Sequence, residues 1–315
     1  MKISSERVVV IALTCNVIIL SVKGAAAWLS GSSAIFSEAL HSLADIINGL
    51  MLLIGIRRAL RPADRQHPFG YTRAIYFWGL VGAFLMFGVI SSMSFVRAYG
   101  QIMHGEDIAY IEYALASVLV SMLLEGVSVY YAVRGVMGSG QSVADGRKGL
   151  LASFRDSGDP AVKMVLVEDI LSLSGVVIAF AGLLGVMFLG VRQIDGYAGV
   201  VIGFVIGVFA IYLIDENRKK LLGESASREM EEAIRKYALA DPDILDVINL
   251  RTTQVGADKV MVYLVIELEP KLLVENVHDI TRSIEKRIVD GIPEVIDCFI
   301  ELGEGDSVPK AVTKE

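Results

Sequence analysis

Six stretches of mainly apolar residues, each about twenty residues long, occupy the first two thirds of this 315-residue chain. They cover residues 8–28, 34–56, 74–96, 111–133, 161–188 and 195–214. A helix of this length crosses the hydrocarbon core of a bilayer with all its backbone hydrogen bonds satisfied internally. We therefore predict an integral membrane protein, with an all-α bundle of six transmembrane helices in residues 1–215. We interpret the first stretch as a membrane helix, because it is too long for the core of a cleaved signal peptide.

The character of the sequence changes after Asp215, where charged residues become frequent. Helical spacing in 227–237 and 274–289 alternates with β-branched and aromatic segments at 246–255, 259–269 and 294–302. This order predicts a small α+β domain of αββαβ type, ferredoxin-like, with two helices on one face of a three-stranded sheet. We assign residues 216–303 to this domain and 304–315 to a flexible tail.

Basic residues collect in alternate loops, which sets the expected orientation of the bundle. One such loop carries Arg57, Arg58, Arg61, Arg65 and Arg73, and another carries Arg134, Arg147, Lys148 and Arg155. We expect both loops, and both termini, to face the cytoplasm, in a cell inner or plasma membrane. The net charge of -7 argues against a nucleic-acid partner, and two distant cysteines, Cys15 and Cys298, indicate no disulfide framework.

Polar residues with helical spacing interrupt the second apolar stretch. Glu38, His41, Asp45 and Asn48 are separated by three, four and three residues, so that they share one stripe of a helix. An ionisable side chain at membrane depth costs on the order of 2.5–3.5 kcal/mol even on insertion scales, so that several together indicate a polar cavity. One alternative remains open for Glu38 and His41, namely a solvated helix start near the membrane boundary.

A second polar cluster, Glu168 and Asp169 followed by Ser172, lies in the fifth apolar stretch. Adjacent carboxylates in hydrocarbon repel each other unless a cation is close. Because adjacent residues on a helix point about 100° apart, we favour one direct ligand, Asp169. A structural pair bonded to a neighbouring helix is the alternative.

One imidazole and two or three carboxylates suit a borderline-to-hard divalent cation such as zinc, ferrous iron or manganese. The same groups bind protons, which a metal must displace, so that proton antiport follows naturally. We expect Glu38, Asn48 and Ser172 to support the ligands by hydrogen bonding. The metal is then a transported substrate, and no prosthetic group is predicted.

Several of these residues lie in motifs that resemble those of a known protein family. FSEALHSLAD at 36–45, DRQHPFGYTR at 64–73, the Glu168-Asp169 helix and LLGE at 221–224 resemble the cation diffusion facilitator family over nearly the whole chain. The resemblance implies divalent metal efflux, usually of zinc, by homodimers coupled to proton influx. His41 and Asp45 match the metal pair of that family's second helix, and Asp169 matches the aspartate of its fifth.

The sequence departs from the family pattern at two places. Val165 occupies the usual fifth-helix histidine position, so that Glu168 becomes the candidate for the missing ligand. This Glu-Asp version resembles a branch that includes a mitochondrial member of the human zinc-transporter set, and the metal stays open. In the tail, His278 and Glu301 match positions that bind regulatory zinc in some relatives, whereas other histidine positions are occupied by Ile248, Val265 and Phe299. We therefore expect no two-metal cytoplasmic centre, and a surface position for His278.

Other features have simpler interpretations. Glu125, in an apolar helix, is expected to bond across the bundle, and Gly199, Gly203 and Gly207 predict close packing of the sixth helix. His67 is expected to help fix the loop before the third helix. Three alternatives to a carrier remain: a metal sensor that does not transport, a membrane-embedded metal-dependent enzyme, for which no HExxH motif appears, and a channel.

Overall fold

A computed structural model of the chain describes residues 5–139, 160–256, 259–270 and 272–303, without the side chains of 5–12, 15, 135–139 and 160–165. The predicted tail at 304–315 and the basic residues Arg147, Lys148 and Arg155 lie outside the described residues.

Six long helices precede the sheet domain. They are α1 (Ser5–Ser30), α2 (Ser33–Ala59), α3 (Ala74–His104), α4 (Ile111–Ser139), α5 (Pro160–Leu189) and α6 (Gln193–Leu222). Within the described residues, α2 to α6 contain five segments long and apolar enough to cross a membrane, whereas α1 contributes a shorter apolar segment, Asn16–Ser30. The predicted membrane bundle is therefore confirmed, with five spans established by this criterion.

Contacts divide the chain into two compact units. The first comprises residues 1–53 and 81–214, and the second comprises 54–80 and 215–315. The first unit has a core of small and branched apolar residues from its helices, and the second has its own core in the sheet domain. The sequence-based division at residue 215 stays a prediction.

The start of α2 is fixed by a carboxylate from another helix. Gly31, in the left-handed conformation with φ of 72°, ends α1 and allows the chain to turn within two residues. Asp195, in the first turn of α6, is fully buried and accepts hydrogen bonds from Ser32 Oγ (2.5 Å), Ser33 N (2.6 Å) and Ser33 Oγ (2.8 Å). An anion at a helix N-terminus satisfies its free N–H groups and its dipole, so that Asp195 anchors α2 to α6.

Glycines let α6 approach α3 closely. A Cβ atom built at Gly203 would lie 2.7 Å from Ser94 Oγ, and one at Gly207 would lie 2.9 Å from Ser91 Oγ. Ser91 Oγ in turn donates to the carbonyl oxygen of Gly203 (2.9 Å). The predicted close packing of the sixth helix through its glycines is thus confirmed. The contact region of α3 includes a π-helical segment, Met86–Ser91.

Two helices run further than their apolar patterns indicated. Helix α3 continues to His104, and α6 continues beyond Asp215 to Leu222. In α6 the charged residues that suggested a boundary form ion pairs with helical spacing, from Lys219 to Asp215 (2.6 Å) and from Lys220 to Glu216 (2.8 Å). Such pairs stabilise a helix, which explains why the helix outlasts the apolar run.

The sheet domain has the predicted αββαβ order: α7 (Arg228–Ala238), β1 (Ile244–Gly256), β2 (Lys259–Leu268), α8 (Val274–Gly291) and β3 (Val295–Leu302). Strand β2 is central, antiparallel to β1 and parallel to β3. Alternate β2 residues, Val262 and Leu264 among them, are buried with Ile234 of α7 and Ile284 of α8. Both helices therefore cover one face of the sheet, as the αββαβ order predicted.

Candidate metal site

The polar stripe of α2 is largely withdrawn from the surface of the first unit. Glu38 is 2% exposed and His41 is 5% exposed, while Asp45 and Asn48 are half-buried. The solvated helix start, which the sequence left open for Glu38 and His41, is therefore not what the structure shows. All four side chains follow one face of α2, as their spacing requires.

His41 and Asp45 have buried polar atoms without a hydrogen-bond partner. Among the described residues, both ring nitrogens of His41 and Oδ1 of Asp45 belong to this small group. Buried polar atoms in proteins are nearly always paired, because desolvation without a replacement partner is costly. An imidazole and a carboxylate with free lone pairs, one turn apart, are donors available to a cation.

Helices α2 and α5 face each other in antiparallel register. Gly175 of α5 lies against Glu38, and a Cβ atom at that glycine would overlap Glu38 Oε1. Asp45 lies seven residues after Glu38 on α2, and Glu168 lies seven residues before Gly175 on α5. The charges of Asp45 and Glu168 act on each other. His41 also acts electrostatically on Glu168, and the same register sets Ser172 level with His41. Both α5 carboxylates, Glu168 and Asp169, are within electrostatic range of Asp45.

The two α5 carboxylates point to different neighbours. Asp169 Oδ2 accepts a hydrogen bond of 2.8 Å from Ser128 Oγ of α4. Glu168 acts electrostatically on Asp45 and His41 of α2, and Asp169 acts on Asp45 as well. Sequence analysis favoured Asp169 as the direct ligand. In this conformation the Asp169 carboxylate of α5 is hydrogen-bonded to α4, and the choice between Asp169 and Glu168 as direct ligand stays a prediction.

The predicted ligands are near one another without converging. Among the residues that the structure describes, no three His, Cys, Asp or Glu side chains are close enough together to hold a metal ion. Asn48 Oδ1 instead lies beside Gly82 of α3, 3.5 Å from where a Cβ atom would stand. Binding of an ion by all of the predicted donors therefore requires these side chains, or the helices that carry them, to come closer together.

Sequence analysis missed one charged residue of this unit, Lys23 in α1. Its ammonium is buried and lies 2.9 Å from Glu38 Oε2 and 2.9 Å from Glu125 Oε1. The prediction that Glu125 bonds across the bundle is confirmed by this pair. A lysine inside an apolar membrane segment was itself the signal, because such a charge is costly unless paired.

The loop before α3 is organised by Asp64. Its carboxylate accepts hydrogen bonds from Tyr71 Oη (2.6 Å) and from the backbone N–H groups of His67 (2.7 Å) and Gln66 (2.9 Å). The Tyr71 hydrogen bond, with those from the backbone, holds the pKa of Asp64 below its ordinary value. His67 stacks on Tyr71, with ring centroids 4.1 Å apart. These contacts agree with the expected role of His67 in fixing the loop.

In the sheet domain, two positions matched to a regulatory zinc site, Val265 and Glu301, are paired across β2 and β3. His278 is exposed on α8, as predicted, and Glu301 is exposed on β3. Val265 is buried in β2, and Phe299 stacks on Tyr263 with ring centroids 5.6 Å apart.

Comparison with known proteins gives matches along most of the chain. Residues 9–222 match the model described as the cation efflux transmembrane domain, and residues 226–302 match the cytoplasmic domain of cation efflux proteins. Metal tolerance protein C4 of Arabidopsis thaliana is 28% identical over 276 residues, which cover 86% of this chain and 59% of that protein.

Two further relatives show the same pattern. The mitochondrial proton-coupled zinc antiporter SLC30A9 of Xenopus laevis is 28% identical over 290 residues, covering 90% of this chain and 49% of that protein. Magnetosome protein MamB of Paramagnetospirillum magneticum is 24% identical over 300 residues, covering 93% and 92% of the respective chains. The chain thus spans between half and three fifths of the plant and frog proteins.

The transmembrane match alone covers well over half of the chain, and it runs from within α1 to the end of α6. This is a family of transporters, so the membrane-enzyme alternative is set aside. The chain is an integral membrane protein and belongs to the cation efflux, or cation diffusion facilitator, family.

Proposed function

We propose that the protein exports a divalent transition-metal ion, zinc first and iron or manganese next, from the cytoplasm in exchange for protons. The observation that carries this proposal is the pair His41 and Asp45 of α2, whose buried donor atoms lack a partner and which act electrostatically on Glu168 of α5. Imidazole nitrogen with carboxylate oxygen is a ligand set for these ions. Relatives named as a zinc antiporter and a metal tolerance protein support the same substrate class.

Proton coupling follows from the chemistry of these ligands. Every predicted donor, His41, Asp45, Glu168 and Asp169, binds either a proton or the metal through the same lone pairs. Loading of the metal from one side therefore releases protons, and unloading on the other side takes protons up. The approach of α2 to α5 on loading, and their separation on release, is the motion that we assign to alternating access.

The proposed assembly is a homodimer in the inner or plasma membrane, with both termini cytoplasmic. The match of 226–302 to a cytoplasmic domain model named for dimerisation supports the homodimer. The basic loop with Arg57, Arg58 and Arg61 supports the orientation. We retain residues 1–215 as the transport domain and 216–303 as the cytoplasmic domain.

Purified protein in proteoliposomes tests this function directly. Uptake of Zn, Fe, Mn and Co is measured with and without an imposed proton gradient. We expect the replacement Asp45→Asn to lower the initial flux by more than about 100-fold, since loss of even an indirect metal-site contact costs 10–100-fold.

The matched control is Asp107→Asn, an acid that is exposed in the loop between α3 and α4. It should transport like the wild type. Flux retained by a folded Asp45→Asn variant would remove the proposed site, metal bound without any flux would indicate a sensor, and flux unaffected by the gradient would indicate a channel.

A further inference from the structure

Three helices bring charged side chains together at a second point of the first unit. Lys23 of α1 donates to Glu38 Oε2 of α2 and to Glu125 Oε1 of α4, each at 2.9 Å. The side chains of Lys23 and Glu38 are 3% and 2% exposed, and that of Glu125 is 14% exposed. Two carboxylates from different helices thus converge on one buried cationic atom.

The surroundings of this atom resemble an ion site more than a simple ion pair. Beside Lys23 and Glu38 is a crevice too narrow for a water molecule, and the hydroxyl residues Ser117 and Ser121 line it. Glu38 Oε1 and Glu125 Oε2 are buried without a hydrogen-bond partner. Gly175 leaves the room that Glu38 Oε1 occupies.

Two carboxylates with nearby hydroxyls make an oxygen-rich site, the kind that a hard cation such as Mn²⁺ prefers. We propose that Lys23, Glu38 and Glu125 form a second cation site of the membrane unit, one that its own lysine ammonium fills. The ammonium group belongs to a residue of α1, so it is not exchanged for an ion from solution.

The lysine-filled site lies close to the proposed transport ligands, and this position explains why a lysine fills it. Glu38 precedes His41 by three residues on the same stripe of α2, one turn from the proposed transport ligands. An empty carboxylate pair at this distance would compete with His41 and Asp45 for the metal. The lysine ammonium removes that competition and limits the unit to one exchangeable divalent ion. This role rests on the proposed function. The proposal that Lys23 fills a cation site formed with Glu38 and Glu125 does not rest on it.

Binding of Mn²⁺ alone to the full-length protein in detergent tests the proposal. Bound ion is counted from the electron paramagnetic resonance signal of free Mn²⁺ at equilibrium. The transport site is first disabled by D45N, and we expect K23M/D45N to bind one equivalent per protomer more than D45N. The matched control K23R/D45N keeps the charge and should gain none, and K23M/D45N/E125Q should lose the gained equivalent.

Two outcomes would overturn the proposal. The first is a K23M/D45N variant that elutes as a single species, like D45N, and gains no Mn²⁺. The second needs no lysine variant: an equivalent that the wild type binds and E125Q loses would mean that Lys23 does not fill the site. Failure of the proposed transport would appear instead as absent flux in proteoliposomes, and it leaves both binding results readable.

Discussion

At the scale of single residues, the most consequential contacts of the membrane unit are made by buried acids. Asp45 keeps an unpaired oxygen, Glu38 is held by Lys23, and Asp195 is satisfied by the first residues of α2. The three carboxylates therefore differ in role because they differ in partners. A carboxylate oxygen without a partner is available to an exchangeable ion. A carboxylate whose oxygens all accept hydrogen bonds instead holds two helices together.

The anchoring of α2 by Asp195 can be tested by removing the Asp195 carboxylate. The change Asp195→Ala leaves Ser33 N and Ser32 Oγ without their acceptor in a buried place, while Ser33 Oγ keeps the carbonyl oxygen of residue 195 at 3.0 Å. Hydrogen bonds to a charged group contribute about 1.5–3 kcal/mol, so we expect a loss of stability of about 3 kcal/mol. Thermal unfolding in detergent measures it.

The control for this change is Glu106→Ala, which removes an exposed carboxylate paired with Arg97. Exposed ion pairs contribute only about 0–1 kcal/mol, so its unfolding midpoint should hardly move. Equal midpoints for the two variants would show that Asp195 does not anchor α2.

At the scale of helices, close packing is organised by residues without side chains. Gly199, Gly203 and Gly207 form a face on α6 against which Ala98, Ser94 and Ser91 of α3 are seated. Serine hydroxyls donate to glycine carbonyl oxygens across this contact. Small residues allow such an approach, and dispersion contacts then stabilise it where no hydrophobic effect is available.

Replacing a glycine by alanine adds one methyl group, which tests whether that glycine is closely packed. Gly203→Ala places a Cβ atom 2.7 Å from Ser94 Oγ, so that the helices must separate. Gly100→Ala, on α3, meets no atom within 4 Å. We expect the first variant to lower the thermal midpoint and the second to preserve or raise it, because alanine favours a helix by roughly 0.5–1 kcal/mol over glycine. A midpoint for Gly203→Ala at or above the wild-type value would contradict the packing described.

At the scale of the whole molecule, the fold class could be predicted from apolar length alone, because a bilayer fixes how long a spanning helix must be. The αββαβ order was equally readable, since the periodicity of 259–269 differs from that of 274–289. Helix ends were less readable. The helix α6 extends to Leu222 because ion pairs, which a hydropathy pattern does not register, replace apolar contacts.

The candidate site was predictable where one helix carries it and obscure where several do. Spacing alone set Glu38, His41 and Asp45 on one face of α2. Which α5 carboxylate faces them depends on the rotation of α5, and the partner of Asp169, Ser128, is forty-one residues away in sequence. The convergence of Lys23 with Glu38 and Glu125 likewise joins three helices, a relation that the spacing within any one of them does not contain.

Orientation across the membrane is also a whole-molecule property. The basic loop at 60–73 should be cytoplasmic and the loop at 105–110 should face outward. In a C15A/C298A background, a cysteine introduced as R61C should react with an impermeant maleimide only in inside-out vesicles, and D107C only in right-side-out vesicles. Detergent-opened vesicles should label both. The reverse pattern would place the termini outside and turn export into import.

Because Asp195 holds the first residues of α2, a tilt of α2 in the proposed transport cycle would pivot at Ser33. With a rise of 1.5 Å per residue, Asp45 lies about 18 Å from that pivot and Glu38 about 7.5 Å. A swing of about 10° therefore displaces Asp45 by about 3 Å, enough to make or break a metal–oxygen bond, but Glu38 by little more than about 1 Å. The same small tilt would therefore change the surroundings of Asp45, a proposed ligand, more than those of Glu38, whose displacement the flexible Lys23 side chain can follow.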